Sequence, residues 1–313
     1  MRHGRATGAT PPGQRGNALW GGGKRVTIVL AAVALLVVSM MAGRVAHAGS
    51  DRPDAFVTPG LLDEAKANPR QLFDVIVSAQ KGKRTADAAA DVQNVQRENP
   101  AAPSRLKRRF VTTQGVSATL TGRQLVRLAD RRWVASITRD HPITLTAAGS
   151  TAAGAYNTSV WPYAVGANVN WSTAAPSSFP TIAIVDSGIE PSRTADFGNR
   201  LLTQVSFVST GQNAAGDGRG HGTLAASIAA RQADGYAGAE PRANLVSLDV
   251  LDDSGAGYVS DLIAACDWIL ANRQQYNIKV VNFSLNAGSP GTPFQYDPLN
   301  KAVEWSAPVL VDI

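Results

Sequence analysis

The segment TIAIVD at residues 181–186 is an almost wholly apolar run that ends in a carboxylate, which is typical of a buried strand with a polar residue at its end. Apolar runs recur at 244–251 and 278–285, and segments 221–232 and 259–273 carry apolar residues at helical spacing. Near-continuous apolar strands that alternate with helices are typical of a parallel sheet covered on both faces. Residues 181–313 are therefore predicted to form an α/β domain with a parallel sheet.

The block before this region has a different pattern. Between residues 73 and 139, strand-like and helix-like segments follow in the order β-α-β-β-α-β, the split βαβ arrangement. Thr121 is placed to cap the second helix. A small ferredoxin-like α+β domain is predicted over 49–146. Residues 147–180 are rich in small and turn residues and are interpreted as a linker and surface arm.

The first 48 residues have the features of an export signal. They hold six basic residues and no acidic one, an apolar run at 26–42, and the small-residue segment Ala46-His47-Ala48. This pattern indicates a signal peptide over 1–48 and a secreted, extracellular protein. The apolar run is near the lower limit for crossing a bilayer, so a membrane anchor at 26–42 is the alternative.

The net charge of +6 does not indicate a nucleic-acid partner once the charges are located. The leader carries six positive charges, residues 49–150 hold 16 basic and 10 acidic groups, and residues 151–313 hold 8 and 14. The two domains therefore carry opposite charges that cancel. The basic run 105–109 lies between a predicted helix and a predicted strand and is interpreted as a solvated turn.

The segment 259–273 is predicted to be a helix with Ser260 as its N-cap. The single cysteine, Cys266, lies on the apolar stripe of this helix and is expected in the core. One cysteine excludes an intrachain disulfide and a cysteine-based zinc site. A phosphate-binding loop at 216–222 is disfavoured because the G-x-x-x-x-G-K-[ST] pattern is absent.

Two short segments carry the candidate chemistry. Asp186 stands at the carboxyl end of a predicted strand, where open α/β sheets place their sites. His221 lies in GDGRGHGT at 216–223 and leads into a helix of small residues. A lone histidine is more often structural than catalytic. A carboxylate nearby, however, fixes the imidazole tautomer and stabilises its cation, so the pair is a candidate acid–base unit.

The segments VDSGIE around Asp186, GHGT around His221 and VVNFSL at 280–285 resemble the subtilisin-like serine protease family, the subtilases or peptidase family S8. The order Asp before His is also that of the family. The resemblance implies a partial subtilisin-like fold and an Asp-His-Ser triad. In that triad Asp186 would orient the base, and His221 would deprotonate the serine and later protonate the leaving amine.

The resemblance extends to two further regions. Ser284, Leu285 and Asn286 match the strand with which the family pairs an extended substrate, although the family often has Gly at the position of Asn286. The side chain of Asn286 is expected to narrow the cleft. The block at 49–146 resembles the inhibitor-like propeptide that precedes many such proteases.

The family's nucleophile and its oxyanion-hole asparagine have no counterpart here. Neither a Gly-Thr-Ser-x-Ala segment nor an Ala-Ala-Gly-Asn segment occurs in the sequence, and Ser187, next to Asp186, is expected to face away. The chain is thus expected to be a truncated precursor of a secreted serine endopeptidase, inactive by itself. The alternative is an exported non-catalytic binding protein whose first domain acts as a protease inhibitor or folding chaperone.

The resemblance also implies partners and cofactors. The expected partners are polypeptide substrates and the chain's own propeptide domain, with no nucleic acid and with a membrane only if the leader is uncleaved. The chemistry is expected to need no cofactor. Structural calcium is frequent in the family, but its site is not assignable from the spacing of oxygen ligands.

Overall fold

The computed structural model describes residues 55–100, 102–145, 159–171, 179–287, 292–306 and 310–312. They all lie in the unit Pro53–Ile313. The predicted leader and the candidate anchor at 26–42 lie outside the described residues. Within the described ranges, none of the helices combines the length and apolarity needed to cross a bilayer.

The first part of the chain forms a five-stranded sheet with helices on one face. The strands are β1 (Phe56–Val57), β2 (Leu72–Ala79), β3 (Arg105–Phe110), β4 (Gly115–Thr121) and β5 (Val134–Arg139), and the helices are α1 (Leu61–Ala67), α2 (Thr85–Arg97) and α3 (Gly122–Ala129). The strand order is β1-β5-β2-β4-β3, antiparallel except for the parallel pair β1 and β5. The predicted β-α-β-β-α-β order is confirmed over β2 to β5. Strand β1 and helix α1 were not predicted.

Thr121 caps α3 as predicted. Its Oγ1 accepts a hydrogen bond from Gln124 N at 3.3 Å, and Gln124 Oε1 accepts one from Thr121 N at 2.9 Å. This reciprocal pair satisfies two backbone N–H groups at the start of the helix. Leu125 and Leu128 on α3 are fully buried against the sheet.

The basic run 105–109 is part of strand β3, so its interpretation as a solvated turn was wrong. β3 is an edge strand that pairs with β4. Arg108 is only partly exposed, and its guanidinium forms an ion pair with the fully buried Asp261 at 2.9 Å. Charges at four of the five positions conceal the period-two alternation that identifies a strand.

The second part of the chain holds a parallel sheet of five strands. These are β7 (Thr181–Asp186), β8 (Leu201–Ser206), β9 (Asn244–Asp249), β11 (Ile278–Phe283) and β13 (Leu310–Asp312), in the order β13-β11-β7-β9-β8. The described helices of this part are α4 (Trp161–Ala164), α5 (Thr194–Phe197), α6 (His221–Ala230), α7 (Val259–Asn272) and α8 (Pro298–Ser306). The predicted α/β class with a parallel sheet is confirmed.

Helices cover both faces of this sheet, as predicted. Alternate residues of β7 and β9, such as Ile184 and Leu245, pack with Ala226 and Ala230 of α6. Residues on the opposite face pack against α7 and α8, and Cys266 lies fully buried in this second cluster. The chain passes from β9 across β7 to β11, so the carboxyl end of β7 is the topological switch point of the sheet.

Ser260 is not the N-cap of α7, because that helix begins at Val259 and its N-cap is Tyr258. Asp261, three residues later, accepts a hydrogen bond from Tyr258 N at 3.0 Å. Ser260 N donates instead to Asp140 Oδ1 at 2.9 Å. A carboxylate from the first part of the chain therefore satisfies a donor at the start of this helix.

A third, three-stranded sheet joins the two parts. Strand β6 (Pro142–Leu145) lies between β10 (Gly257–Tyr258) and β12 (Leu285–Asn286), antiparallel to both. β6 directly follows the first sheet in the chain, whereas its partners belong to the second part. The end of the predicted propeptide block is thus an extended segment paired on both edges.

Candidate active site

His221 and Asp186 meet at the carboxyl edge of the parallel sheet. Asp186 is the last residue of the middle strand β7, and His221 is the first residue of α6. Nδ1 of His221 lies 2.8 Å from Asp186 Oδ1 and 2.9 Å from Oδ2. The Asp186 side chain is fully buried, whereas 18% of the His221 side chain is exposed. Nδ1 faces the buried carboxylate, so Nε2 lies on the side of the ring away from Asp186.

The environment of Asp186 fixes the state of the imidazole. Burial raises the pKa of Asp186 above its usual value, while the hydrogen bonds from His221 and Ser187 act in the opposite direction. Ser187 N donates to Asp186 Oδ1 at 2.7 Å. Because a carboxylate only accepts, Nδ1 of His221 carries the hydrogen, which leaves Nε2 of the neutral ring as a proton acceptor.

Two glycines allow the loops of this pair to approach each other. Gly188 has a φ of 97°, and a Cβ placed on it would lie 1.9 Å from the carbonyl oxygen of Gly216. A Cβ on Gly222 would lie 2.1 Å from the carbonyl oxygen of Gly188. Any side chain at either position would push the loop after β7 away from the start of α6.

Strand β6 occupies the groove between β10 and β12. Ile143 lies opposite Gly257, and its side chain is fully buried in the same apolar cluster as Val259 and Leu285. A Cβ placed on Gly255 would lie 3.5 Å from both Leu145 Cδ1 and Arg219 Nε. Arg219 is two residues before His221, so the carboxyl end of β6 reaches the loop that carries the histidine.

The three candidate substrate-binding residues lie along one side of this groove. Leu285 pairs with Leu145, and Asn286 pairs with Thr144. Ser284 Oγ accepts a hydrogen bond from Asn282 Nδ2 at 2.9 Å. Leu285 is buried and Asn286 is exposed. The backbone of Leu285 and Asn286 already pairs with an extended peptide segment, which here is supplied by the chain itself.

Three polar residues of this site were missed or undervalued at the sequence level. Ser187 is buried, and its hydroxyl donates a hydrogen bond to Asp217. Asp217 belongs to the GDGRGHGT segment, but no role was predicted for it. Asp249 lies opposite Asp186 at the end of β9, and burial raises its pKa to about 6. An acid at the end of a second apolar strand was a readable signal for Asp249. The contacts of Asp217 depend on loop geometry that spacing does not encode.

The carboxylates of the site do not form a metal centre. In the part of the chain that the structure describes, no group of three or more His, Cys, Asp or Glu side chains is arranged to hold a metal ion. The sequence expectation of structural calcium stays a prediction without an assigned site.

Comparison with known protein families finds one match. Residues 177–308 match the family model described as Subtilase family. This part of the chain is therefore similar to the subtilases. The matched region includes the middle strand that ends in Asp186, the helix that begins at His221 and the β12 strand.

Individual subtilases match parts of the chain. It is 32% identical over 141 residues to the serine protease AprX and 36% identical over 124 residues to subtilisin E, both from Bacillus subtilis strain 168. It is 29% identical over 178 residues to the alkaline serine protease ver112 of Corniculantispora psalliotae. These matches include 42%, 39% and 56% of this chain, but only 31%, 30% and 44% of the relatives. The chain therefore spans less than half the length of each relative.

A solved structure supports the fold. The epidermin leader peptide processing serine protease (EpiP) of Staphylococcus aureus superposes with a TM-score of 0.53 over 77% of this chain and 59% of that chain. The sequence identity is 14%, so this likeness concerns the fold alone.

Proposed function

We propose that this chain is the precursor region of an exported subtilisin-like serine endopeptidase that hydrolyses peptide bonds of polypeptides. The observation that carries the proposal is the bond from His221 Nδ1 to the buried Asp186 at the switch point of the sheet, beside a groove that holds an extended strand. In this role His221 is the general base and Asp186 is the acid that orients it.

The geometry supports a defined proton path. Nε2 of His221 takes the proton of an attacking serine hydroxyl and later gives it to the leaving amine, while Asp186 stabilises the imidazolium. Ser187 does not suit the nucleophile's role, because its Oγ donates to Asp217 Oδ1 at 2.9 Å and accepts from Gly222 N at 3.0 Å. The serine would have to come from outside the 313 residues. No step of this path uses a metal or an organic cofactor.

The groove between β10 and β12 is the proposed substrate site. An extended peptide there gains main-chain hydrogen bonds from both edges, and the buried pocket of Ile143 selects an apolar side chain. In this proposal Ser284, Leu285 and Asn286 bind substrate, and β6 occupies their groove as part of an intramolecular propeptide. The propeptide thereby blocks the groove until it is removed.

Export is part of the proposal and rests on the basic, apolar and small-residue segments of 1–48. Cleavage after Ala48 would give a secreted protein that begins at Gly49, and an uncleaved leader would leave it anchored by 26–42. Amino-terminal sequencing of the protein recovered from the medium tests this point. A membrane-bound product that retains residue 2 would favour the anchor.

A polypeptide of these 313 residues alone is expected to hydrolyse no peptide, because it has two of the three triad members and lacks the oxyanion asparagine. Loss of one triad member costs several orders of magnitude in rate. The test is a fluorogenic peptide assay on the purified chain. Hydrolysis that disappears in a His221→Ala variant would show that the nucleophile lies within the chain.

The alternative is an exported inhibitor or folding chaperone, and the placement of β6 between β10 and β12 is the observation that favours it. Adding residues 51–150 to an active subtilisin-like protease tests this function, and an absence of inhibition would dismiss it. The coding sequence after Ile313 separates the two proposals. A Gly-Thr-Ser-x-Ala segment there supports the peptidase, and its absence supports the inhibitor.

A further inference from the structure

The carboxylate of Asp217 joins the two loops that carry the Asp186–His221 pair. Its Oδ1 accepts hydrogen bonds from Ser187 Oγ at 2.9 Å and from Gly220 N at 2.7 Å. Its Oδ2 accepts from Thr223 N at 2.7 Å and from Thr223 Oγ1 at 2.5 Å. One side chain thus accepts four hydrogen bonds, with donors on both sides of the site.

The bonds of Asp217 extend to the residues next to each member of the pair. Ser187 directly follows Asp186, and its Oγ accepts from Gly222 N, which directly follows His221. Thr223 Oγ1 accepts from Glu190 N at 2.9 Å, which ties the loop after β7 to the first turn of α6 a second time. The backbone on both sides of His221 is therefore held through Asp217 and Ser187.

Hydrogen bonds to an ionised carboxylate are stronger than neutral ones. Glycines at 188, 220 and 222 give the backbone around the pair wide conformational freedom, so the hydrogen bonds to Asp217 are needed to hold the two loops in one conformation. Without the Asp217 carboxylate, four backbone or hydroxyl donors in the two loops would lose their acceptor together. The imidazole would then sample positions away from Asp186.

We propose that Asp217 is a positioning residue that keeps His221 Nδ1 within hydrogen-bond distance of Asp186. It touches neither the substrate groove nor the imidazole in the described contacts, and it acts through Ser187, Gly220 and Thr223. This inference rests on the proposed peptidase function, because the geometry it maintains is that of the general base. It adds a residue upstream of the histidine to the machinery of the site.

The test uses the whole 313-residue chain and needs no catalytic activity. Proton NMR at low temperature reports the Nδ1 hydrogen of His221 as a far-downfield resonance when it is bonded to a carboxylate. The signal is assigned by its loss in His221→Ala. In Asp217→Asn we expect solvent exchange of this hydrogen to be about tenfold faster or more, as the loss of one charge-assisted bond implies.

The matched control is Asp253→Asn. Asp253 also accepts a backbone bond in a neighbouring loop, from Ala214 N at 3.0 Å, but it contacts neither Ser187 nor the start of α6 in the described bonds. In Asp253→Asn the Nδ1 hydrogen of His221 should exchange with solvent at the same rate as in the wild type. If Asp217→Asn fails to fold, Ser187→Ala replaces it, because this change removes the relay from Asp217 to Gly222 and leaves the bonds of Asp217 to Gly220 and Thr223 in place.

The outcomes separate this inference from the proposed function. A wild-type chain without the downfield resonance would overturn both, since the pair itself would not form. A wild-type resonance that Asp217→Asn or Ser187→Ala leaves unchanged in position and exchange rate would overturn only the role of Asp217. Equal acceleration in Asp253→Asn would show general loosening of the fold and would also overturn it.

Discussion

At the residue scale, the site depends on the contact between two loops that are 35 positions apart in sequence. Asp186 and His221, the proposed acid–base pair, could be singled out from the sequence because their local segments are distinctive. The hydrogen-bonding roles of Asp217 and Ser187 next to this pair could not be predicted from the sequence. Asp217 and Ser187 act through hydrogen bonds whose partners are brought together only by folding, and sequence spacing contains no direct record of such contacts.

Gly222→Ala should be strongly destabilising, because its new methyl would lie 2.1 Å from the carbonyl oxygen of Gly188. We expect a loss of about 3 kcal/mol or more in the free energy of unfolding, typical of a backbone clash in a packed site. Gly220→Ala is the matched control, because its φ of 84° is strained but no atom lies within 4 Å of its new methyl. It should cost about 1–2 kcal/mol. Equal losses in urea titrations would refute the steric argument.

Asp249 should make stability depend on pH. Burial raises its pKa to about 6 in the folded protein, above the value of about 3.9 in an unfolded chain. The folded state therefore holds this proton more tightly. The contribution of Asp249 to the stability of the folded state is therefore fully present below about pH 4. It is lost as the pH rises through about 6, where the folded protein gives up this proton.

Asp249→Asn removes this dependence. The amide can still accept from Asn213 Nδ2, which now bonds the carboxylate at 2.7 Å. We expect the variant to be more stable than the wild type by about 1–3 kcal/mol at pH 8, with the difference vanishing near pH 4. Thermal unfolding across this pH range measures it, and a constant difference at all pH values would contradict the assigned pKa.

At the element scale, the two long regular patterns were readable and the short connecting strands were not. Helical stripes and apolar runs predicted α6, α7 and three strands of the parallel sheet, β7, β9 and β11. β10 and β12 have two residues each, which is too short for any periodicity. β6 was assigned no structure because its pairing depends entirely on partners more than a hundred residues away.

Arg108 on β3 should stabilise the packing of the first sheet against α7. It pairs with Asp261, which is fully buried, and also donates to the carbonyl oxygen of Phe207 at 2.5 Å. Removing one partner of such a pair leaves a buried carboxylate without its cation. Arg108→Ala should lower the free energy of unfolding by about 2–4 kcal/mol. The exposed neighbour Arg109, changed to Ala, should have an effect below about 0.5 kcal/mol.

Ser117 on β4 has a buried hydroxyl group whose effect on stability can be measured. It lies opposite Ile76, which packs in the cluster of α7, and its buried Oγ has no hydrogen-bond partner within the described residues. Ser117→Ala removes an unsatisfied hydroxyl and should be neutral or stabilising by up to about 1 kcal/mol. Thr119→Val is the control, because Thr119 Oγ1 donates to Asp74 Oδ1 at 2.6 Å. Loss of this hydrogen bond in Thr119→Val should lower the free energy of unfolding by about 1 kcal/mol. A Ser117→Ala variant less stable than Thr119→Val would contradict the hydrogen-bond assignment.

At the scale of the whole molecule, the opposite charges of the two parts match their packing. Residues 49–150 have six more basic than acidic groups, and residues 151–313 have six more acidic than basic ones. Such charges steer association and are screened by salt. The sequence predicted this complementarity, but it did not indicate that β6 would lie in the groove between β10 and β12, which is where a substrate is proposed to bind.

The assignment of Asp186 and His221 as an acid–base pair is tested most directly by peptide hydrolysis, using a polypeptide that continues past Ile313 through a Gly-Thr-Ser-x-Ala segment encoded in frame. We expect activity once the propeptide is removed. We also expect kcat to fall by about 10⁶ in His221→Ala and by about 10⁴ in Asp186→Asn, as for a general base and its orienting acid. Activity retained within tenfold in either variant would contradict the assignment of Asp186 and His221 as the acid–base pair.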